Sequence, residues 1–220
     1  MATRALLAEL VAAWQQQSGR EAAIESVGGV DAARRVREGG EPFDLVVLAS
    51  DAIAKLEAAG RIEPGSVTPL VRSGVAVAVP AGAPQPAIGT EAQLRDAVLA
   101  APTIGYSTGP SGVALQQLFE RWGIADVVKD RTVQAPAGTP VAVLVARGEV
   151  ALGFQQLSEM LHVEGIAVIG PLPDAVQITT VFSAAVVAGA AQESAARELL
   201  AFMASPATAD AKRRQGMEPA

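Results

Sequence analysis

Short apolar runs alternate with longer stretches of helical period along this chain. The opening stretch sets Leu6, Leu7, Leu10, Val11 and Trp14 on one stripe with Glu9 inside it, which predicts an amphipathic first helix rather than a signal peptide. Residues 22–27 (AAIESV) read as a strand, and GVDAARRVREGG as a helix closed by Gly39 and Gly40. FDLVVLAS (43–50) is apolar almost throughout, as buried parallel strands are, and DAIAKLEAAG follows as a helix ended by Gly60. Further helices are predicted over 90–100, with Thr90 and Gln93 in capping-box positions, over 111–123, and over 139–149 with Pro140 in the first turn. Strands fall at 103–107, 132–136, 150–155 and 166–173, with a short helix at 157–161 and two closing helices split at Pro206.

Strands alternating with helices predict an α/β fold with a parallel sheet. Two extended runs, 67–82 and 177–189, exceed ordinary strand length and bracket the middle of the chain. They predict two lobes: a discontinuous lobe 1 of residues 1–78 and 180–220, and an inserted lobe 2 of residues 79–179. Each lobe would be a mixed or parallel sheet flanked by helices, with the two long strands as a hinge.

Composition narrows the chemistry. A net charge of −6, from 17 basic and 23 acidic residues, argues against nucleic acid as a partner. There are no cysteines and one histidine, His162, so thiolate nucleophiles and nitrogen–sulfur metal sites are excluded, and neither a metal nor a cofactor is expected. No segment is long and apolar enough to insert in a membrane. Trp14 and Trp122 lie on helix stripes and read as core; His162 reads as a surface residue.

In open α/β sheets ligands bind beyond the carboxyl ends of strands. The junctions there are small, polar and glycine-bearing: Gly28-Gly29, Ser50-Asp51, Tyr106-Ser107-Thr108-Gly109-Pro110-Ser111-Gly112, Gly138-Thr139, and Gln155-Gln156 with Ser158. Each opens a helix, whose free N–H groups accept an anion without lysine. YSTGPSG is the richest. The hydroxyls of Ser107, Thr108 and Ser111 can cap the helix or donate to an oxyanion, and these uses compete for the same atoms. The stretch lacks the Gly-Lys-Ser/Thr ending of a P-loop, and Ser111 lacks the frame of a nucleophile elbow. Arg4 and Arg72 are candidates for pairing with ligand carboxylates, and Gln155 for a ligand carboxylate or hydroxyl. Asp44 and Asp51 suit a strand end and a helix cap, with proton abstraction as the alternative for each.

FDLVVLASDAIAKLEAAGRI, VRSGVAVAVPAGAP, IGYSTGPSGVALQQLFERWGI, GEVALGFQQLSEM, IGPLPDAVQITTVFSAAV and SPATADAKRRQGMEP, in that order, resemble the molybdate-binding-like branch of the type II periplasmic solute-binding proteins. The resemblance runs from about residue 20 to the end. It implies two α/β lobes joined by two hinge strands and a small oxyanion or polycarboxylate clamped between them. It also implies a monomer, a periplasmic location, and an ABC transporter permease as partner. Carried over by motif, Ser107, Thr108, Ser111 and Gly112 line the ligand from the second lobe, and Gly28, Gly29 and Ser50 from the first. VGGVDAARRV, YSTGPSG and GFQQLSE are closer to a sub-branch that includes aconitate isomerases, which move a proton between carbons of a tricarboxylate. That alternative asks for carboxylate clamps such as Arg4 or Arg72 and for a base, with Tyr106 and Asp51 as the candidates. Family members open with a strand and a serine-bearing loop before the first helix. Met1 falls where that loop belongs, so the resemblance implies a natural chain extending upstream, with Thr3 capping the first helix. A chain that truly began at Met1 would instead be cytoplasmic.

Overall fold

In the computed structural model the described residues are 2–136 and 138–220. They form two compact units, Met1–Ser73 with Thr180–Ala220 (unit 1) and Gly74–Thr179 (unit 2). Unit 1 holds α1 (Arg4–Ser18), α2 (Gly29–Glu38), β1 (Leu45–Ala49), α3 (Ser50–Ala58) and the start of β2 (Thr68–Pro80). Unit 2 takes the rest of β2, then α4 (Glu91–Ala100), β3 (Ile104–Tyr106), α5 (Pro110–Arg121), α6 (Ala125–Val128), β4 (Thr132–Gln134), α7 (Val141–Ala146), β5 (Leu152–Gln156) and β6 (Ile166–Pro171). β7 (Thr179–Val186) returns the chain to unit 1, which closes with α8 (Glu193–Ala204), α9 (Ala209–Arg214) and β8 (Glu218–Pro219).

In unit 1, β1 runs antiparallel to β7, from Leu45 opposite Val186 to Ala49 opposite Phe182. Its unbroken apolar run therefore reports burial on both faces, not strand direction. Val46 and Leu48 pack with Val36, Ile53 and Leu56 of α2 and α3, while Leu45 and Val47 pack toward the cluster of α1 and α8. The α1 stripe forms as its spacing predicts, with Leu6, Leu10, Val11 and Trp14 buried. Two residues of β8 pair with Val71 and Arg72 of β2, a strand too short to show in the sequence pattern.

In unit 2, β3 lies between β4 and β5 and is parallel to both, whereas β2 runs antiparallel to β5 and β6. The sheet is therefore mixed rather than purely parallel. One face packs Val75, Val77, Ile104, Leu152 and Phe154 under Leu94 and Val98 of α4 and Leu115, Leu118 and Phe119 of α5. Trp122 stacks on Phe119 and donates its indole N–H to Glu91 at 2.6 Å. α7 covers the other face at close range. A Cβ on Gly153 would stand 2.4 Å from Val145 Cγ2, and one on Gly105 2.9 Å from Val141 Cγ1. Glycine at both positions lets helix and sheet meet.

The expected strand at 22–27 does not form. Its alternating pattern finds no strand partner, and β preference depends on a neighbour and a buried face. Ile24 is 42% exposed, and the segment is tied instead to α2, through Glu25 and the Arg35 guanidinium at 2.6 Å. The predicted helix at 157–161 shortens to a single 3-10 turn, Leu157–Glu159. The capping box at Thr90 and Gln93 forms with both of its hydrogen bonds.

Candidate functional site

The YSTGPSG turn ends β3 and starts α5. Gly109 is the cap position, and Pro110 supplies a fixed φ and no N–H to the first turn. The backbone folds back so tightly that a Cβ on Gly112 would lie 1.8 Å from the Ser107 carbonyl oxygen. Only glycine fits there. This places Ser107 and Ser111 side by side, with their hydroxyls 3.1 Å apart.

The hydroxyls of Ser107, Thr108 and Ser111 do not cap α5. No side chain caps α5, in contrast to the full capping box of α4. The Gly109 carbonyl takes the N–H groups of Gly112 and Val113, at 3.0 and 3.3 Å. Among the described residues, the N–H groups of Thr108, Gly109 and Ser111 find no acceptor. Ser111 is nearly buried at 7% exposure, while Thr108 is exposed. The result is a positively polarised helix start with undonated N–H groups beside two hydroxyls that hold only each other.

Neighbouring strand ends converge on the same edge. The Ala135 N–H donates to the Tyr106 carbonyl at 2.9 Å, fixing the end of β4 beside the cradle. Gly138, at φ 81°, and Thr139 lie in the following turn, where the Thr139 N–H bonds the Pro136 carbonyl. Gly105 of β3 is level with Gly153 of β5, the last pair of that ladder, and Gln155 lies two residues further along β5. Gln155 is 2% exposed and already engaged at both ends of its amide. Its Oε1 accepts the Ala142 N–H at 3.0 Å, and its Nε2 donates to Glu159 Oε2. Its observed bonds thus hold α7 and Glu159. Its second Nε2 hydrogen finds no acceptor among the described residues. Gln156 is also buried and partnered, and the Ser158 hydroxyl is buried without a hydrogen-bond partner among the described residues.

Glu159 is the residue that sequence reasoning missed. Burial pushes its carboxyl above the ordinary glutamate range. The polar run Gln155-Gln156-Leu157-Ser158-Glu159 directly after an apolar strand was the available signal. The two candidate bases sit differently. Tyr106 packs against the core under α4 and α5, and Asp51 is exposed in the first turn of α3.

The remaining candidates belong to unit 1. Gly28 caps α2 and accepts the Ala32 N–H at 2.9 Å, and Gly29 is exposed at the helix start. Ser50 opens α3, but its hydroxyl is spent within the unit, at 2.7 Å from Ser183 Oγ and 3.1 Å from the Val181 carbonyl. Thr3 occupies the cap position of α1, yet its hydroxyl makes no capping bond. A capping residue ordinarily has extended backbone, which lets its hydroxyl accept the N–H two or three residues on, whereas Thr3 sits at φ −88° and ψ −1°. Arg4 and Arg72 are exposed, and neither forms an ion pair among the described residues. Asp44 accepts the Gln192 N–H at 2.9 Å, which gives it a structural role at the strand end. His162 is exposed in the turn after Glu159. Among the described residues no helix is long and apolar enough to cross a membrane, and no three acidic or histidine side chains gather to hold a metal.

Two α/β units joined by long crossing strands, with small polar helix starts at the strand ends, define the type II solute-binding fold. The chain belongs to the bacterial extracellular solute-binding protein family, which it matches over residues 1–218. It is 38% identical over 180 residues to an aconitate isomerase from Pseudomonas sp., covering 81% of this chain and 68% of that one. Among solved structures it resembles the periplasmic molybdate-binding protein of Azotobacter vinelandii, with TM-score 0.81, 20% identity, and coverage of 98% of this chain and 94% of that one. It also resembles AgtB from A. tumefaciens R10 in complex with agropinic acid, with TM-score 0.74, 14% identity, and coverage of 100% and 80%. At such identities the solved structures speak for the fold.

Proposed function

We propose that this solute-binding protein takes a small oxyanion or polycarboxylate, and that the start of α5 holds one of its anionic groups. The observation that carries this reading is the uncapped helix start, where N–H groups without acceptors stand beside the paired hydroxyls of Ser107 and Ser111. Those donors suit three-coordinate carboxylate and tetrahedral oxyanion alike. Thr108, Gly138 and Thr139 of the same unit are assigned to the remainder of that group. An ABC transporter permease is the partner such a binder would serve.

A second reading, an isomerase acting on an aconitate-like acid, draws on the 38% identity to the Pseudomonas protein. One experiment addresses both. Purified protein is incubated with trans-aconitate, molybdate and sulfate, and melting shifts and conversion to cis-aconitate are recorded. Binding without turnover supports the binder, and turnover replaces it with the enzyme. Ser111→Leu fills the cradle and is expected to abolish the melting shift of whichever anion binds. An unchanged shift places the anion elsewhere.

A further inference from the structure

Tyr106, the last residue of β3, leads directly into the cradle. It pairs with Gln134 of β4, and its carbonyl takes the Ala135 N–H at 2.9 Å. Successive side chains of a strand point to opposite faces, so Tyr106 shares a face with Ile104, under α5, while Gly105 faces α7. The ring packs against the cluster that holds Ile104, Leu115 and Phe119. Its Cδ2 edge lies 3.2 Å from where a Cβ on Gly112 would stand, which sets the ring against the first turn of α5. The hydroxyl has no such fixed neighbour. Tyr106 is only half-buried, and its phenol oxygen finds no hydrogen-bond partner among the described residues and is not sealed from solvent. Ser107 and Ser111 bond each other, at 3.1 Å, and not the phenol. A ring held by packing thus carries a free hydroxyl within a ring's length of the cradle.

We propose that Tyr106 is a specificity-determining residue of the cradle: its hydroxyl donates to a second polar group of the ligand, so the site takes organic carboxylates in preference to inorganic oxyanions. The inference rests on the anion-cradle reading above and adds a second point of contact to it. The serine hydroxyls and the N–H groups of the α5 start address one anionic group. The phenol stands apart from the serine pair, since no hydrogen bond joins them. A ligand that uses both must carry a second oxygen on a skeleton, as a di- or tricarboxylate does. A tetrahedral oxyanion gathers its oxygens around one atom and is satisfied by the cradle alone. The ring also sets an apolar edge beside the carbon atoms of such a skeleton, with a polar handle at its end. A phenol O–H donated to a carboxylate is a charge-assisted bond, and a ring already fixed by packing loses little freedom in making it.

The test is calorimetric titration of the whole protein with trans-aconitate and with molybdate. Tyr106→Phe keeps the packed ring and removes only the oxygen. Wild type is expected to bind trans-aconitate more tightly than molybdate. Tyr106→Phe is expected to lose about tenfold or more in affinity for trans-aconitate and less than about threefold for molybdate. A tyrosine kept for packing alone would leave both affinities unchanged. Tyr106 is also the only tyrosine in the sequence, so fluorotyrosine labelling gives a single fluorine NMR resonance, expected to move as trans-aconitate saturates wild type. Undiminished trans-aconitate affinity in Tyr106→Phe, equal losses for both anions, or a resonance that stays still at saturation overturns the assignment while leaving the cradle standing. Wild type that prefers molybdate does the same. If neither anion gives heat or a melting shift with wild type, the cradle reading fails and this inference with it.

Discussion

Gly112→Ala is a severe test of the cradle's geometry. The added Cβ would stand 1.8 Å from the Ser107 carbonyl oxygen, 2.9 Å from its carbon and 3.2 Å from Tyr106 Cδ2. Ordinary contact needs about 3.5 Å, so about 1.7 Å must be found, and the obstacle is backbone rather than a mobile side-chain tip. Overpacking costs about 1–3 kcal/mol, and a rigid obstacle argues for the upper end. Alanine returns at most about 1 kcal/mol through its helix preference. The net loss is about 2 kcal/mol, which for a chain of this size lowers Tm by about 4–8 °C. The shift needed also separates Ser107 from Ser111, so the melting shift given by a bound anion should fall to a small fraction of its wild-type value. Gly109→Ala is the control. Its Cβ would meet Ser107 Oγ at an unstrained 3.8 Å, and its φ of −80° suits any residue. Thermal melts of both variants, with and without the anion that stabilises wild type, give the comparison. A Gly112→Ala protein with wild-type Tm and an undiminished ligand shift would refute the close turn and the site built on it.

Other expectations follow from the same structure. Gly153→Ala should lose about 1–3 kcal/mol from its clash with Val145, and Val145→Ala in the same chain should recover part of that, read as non-additive melting temperatures. Lys212 on α9 is 2% exposed, and burial pushes its ammonium below the ordinary lysine range. The unfolded chain then binds more protons than the folded one between the lowered pKa and about 10.4, so stability rises with pH across that window. Lys212→Met should therefore raise Tm by about 2–4 °C at pH 7, equivalent to about 1 kcal/mol, with the advantage shrinking toward pH 10. A lower Tm at pH 7 would mean that the lysine is satisfied where it stands.

The sequence by itself determined the alternation of elements, the amphipathic face of α1, the Thr90 capping box and the two long crossing strands. All of these rest on local periodicity or on hydrogen bonds spanning a few residues. Strand direction escaped it. A strand buried on both faces is apolar throughout whether its neighbour is parallel or antiparallel, and β1 against β7 proved antiparallel. The strand expected at 22–27 failed because a strand needs a partner, which no local pattern supplies. The site divides in the same way. YSTGPSG announced a helix start rich in donors, but whether its hydroxyls capped the helix was a question of orientation, and the fold left them uncapped. The spacing also could not show that Gln155 would be spent on Ala142 and Glu159, or that Ser50 would be spent on Ser183. Ser50 and Ser183 are brought together by the sheet, and Ala142 reaches Gln155 only because α7 packs against β5. A side chain's type fixes what it can donate or accept, and the tertiary neighbours decide which atoms remain free to meet a ligand.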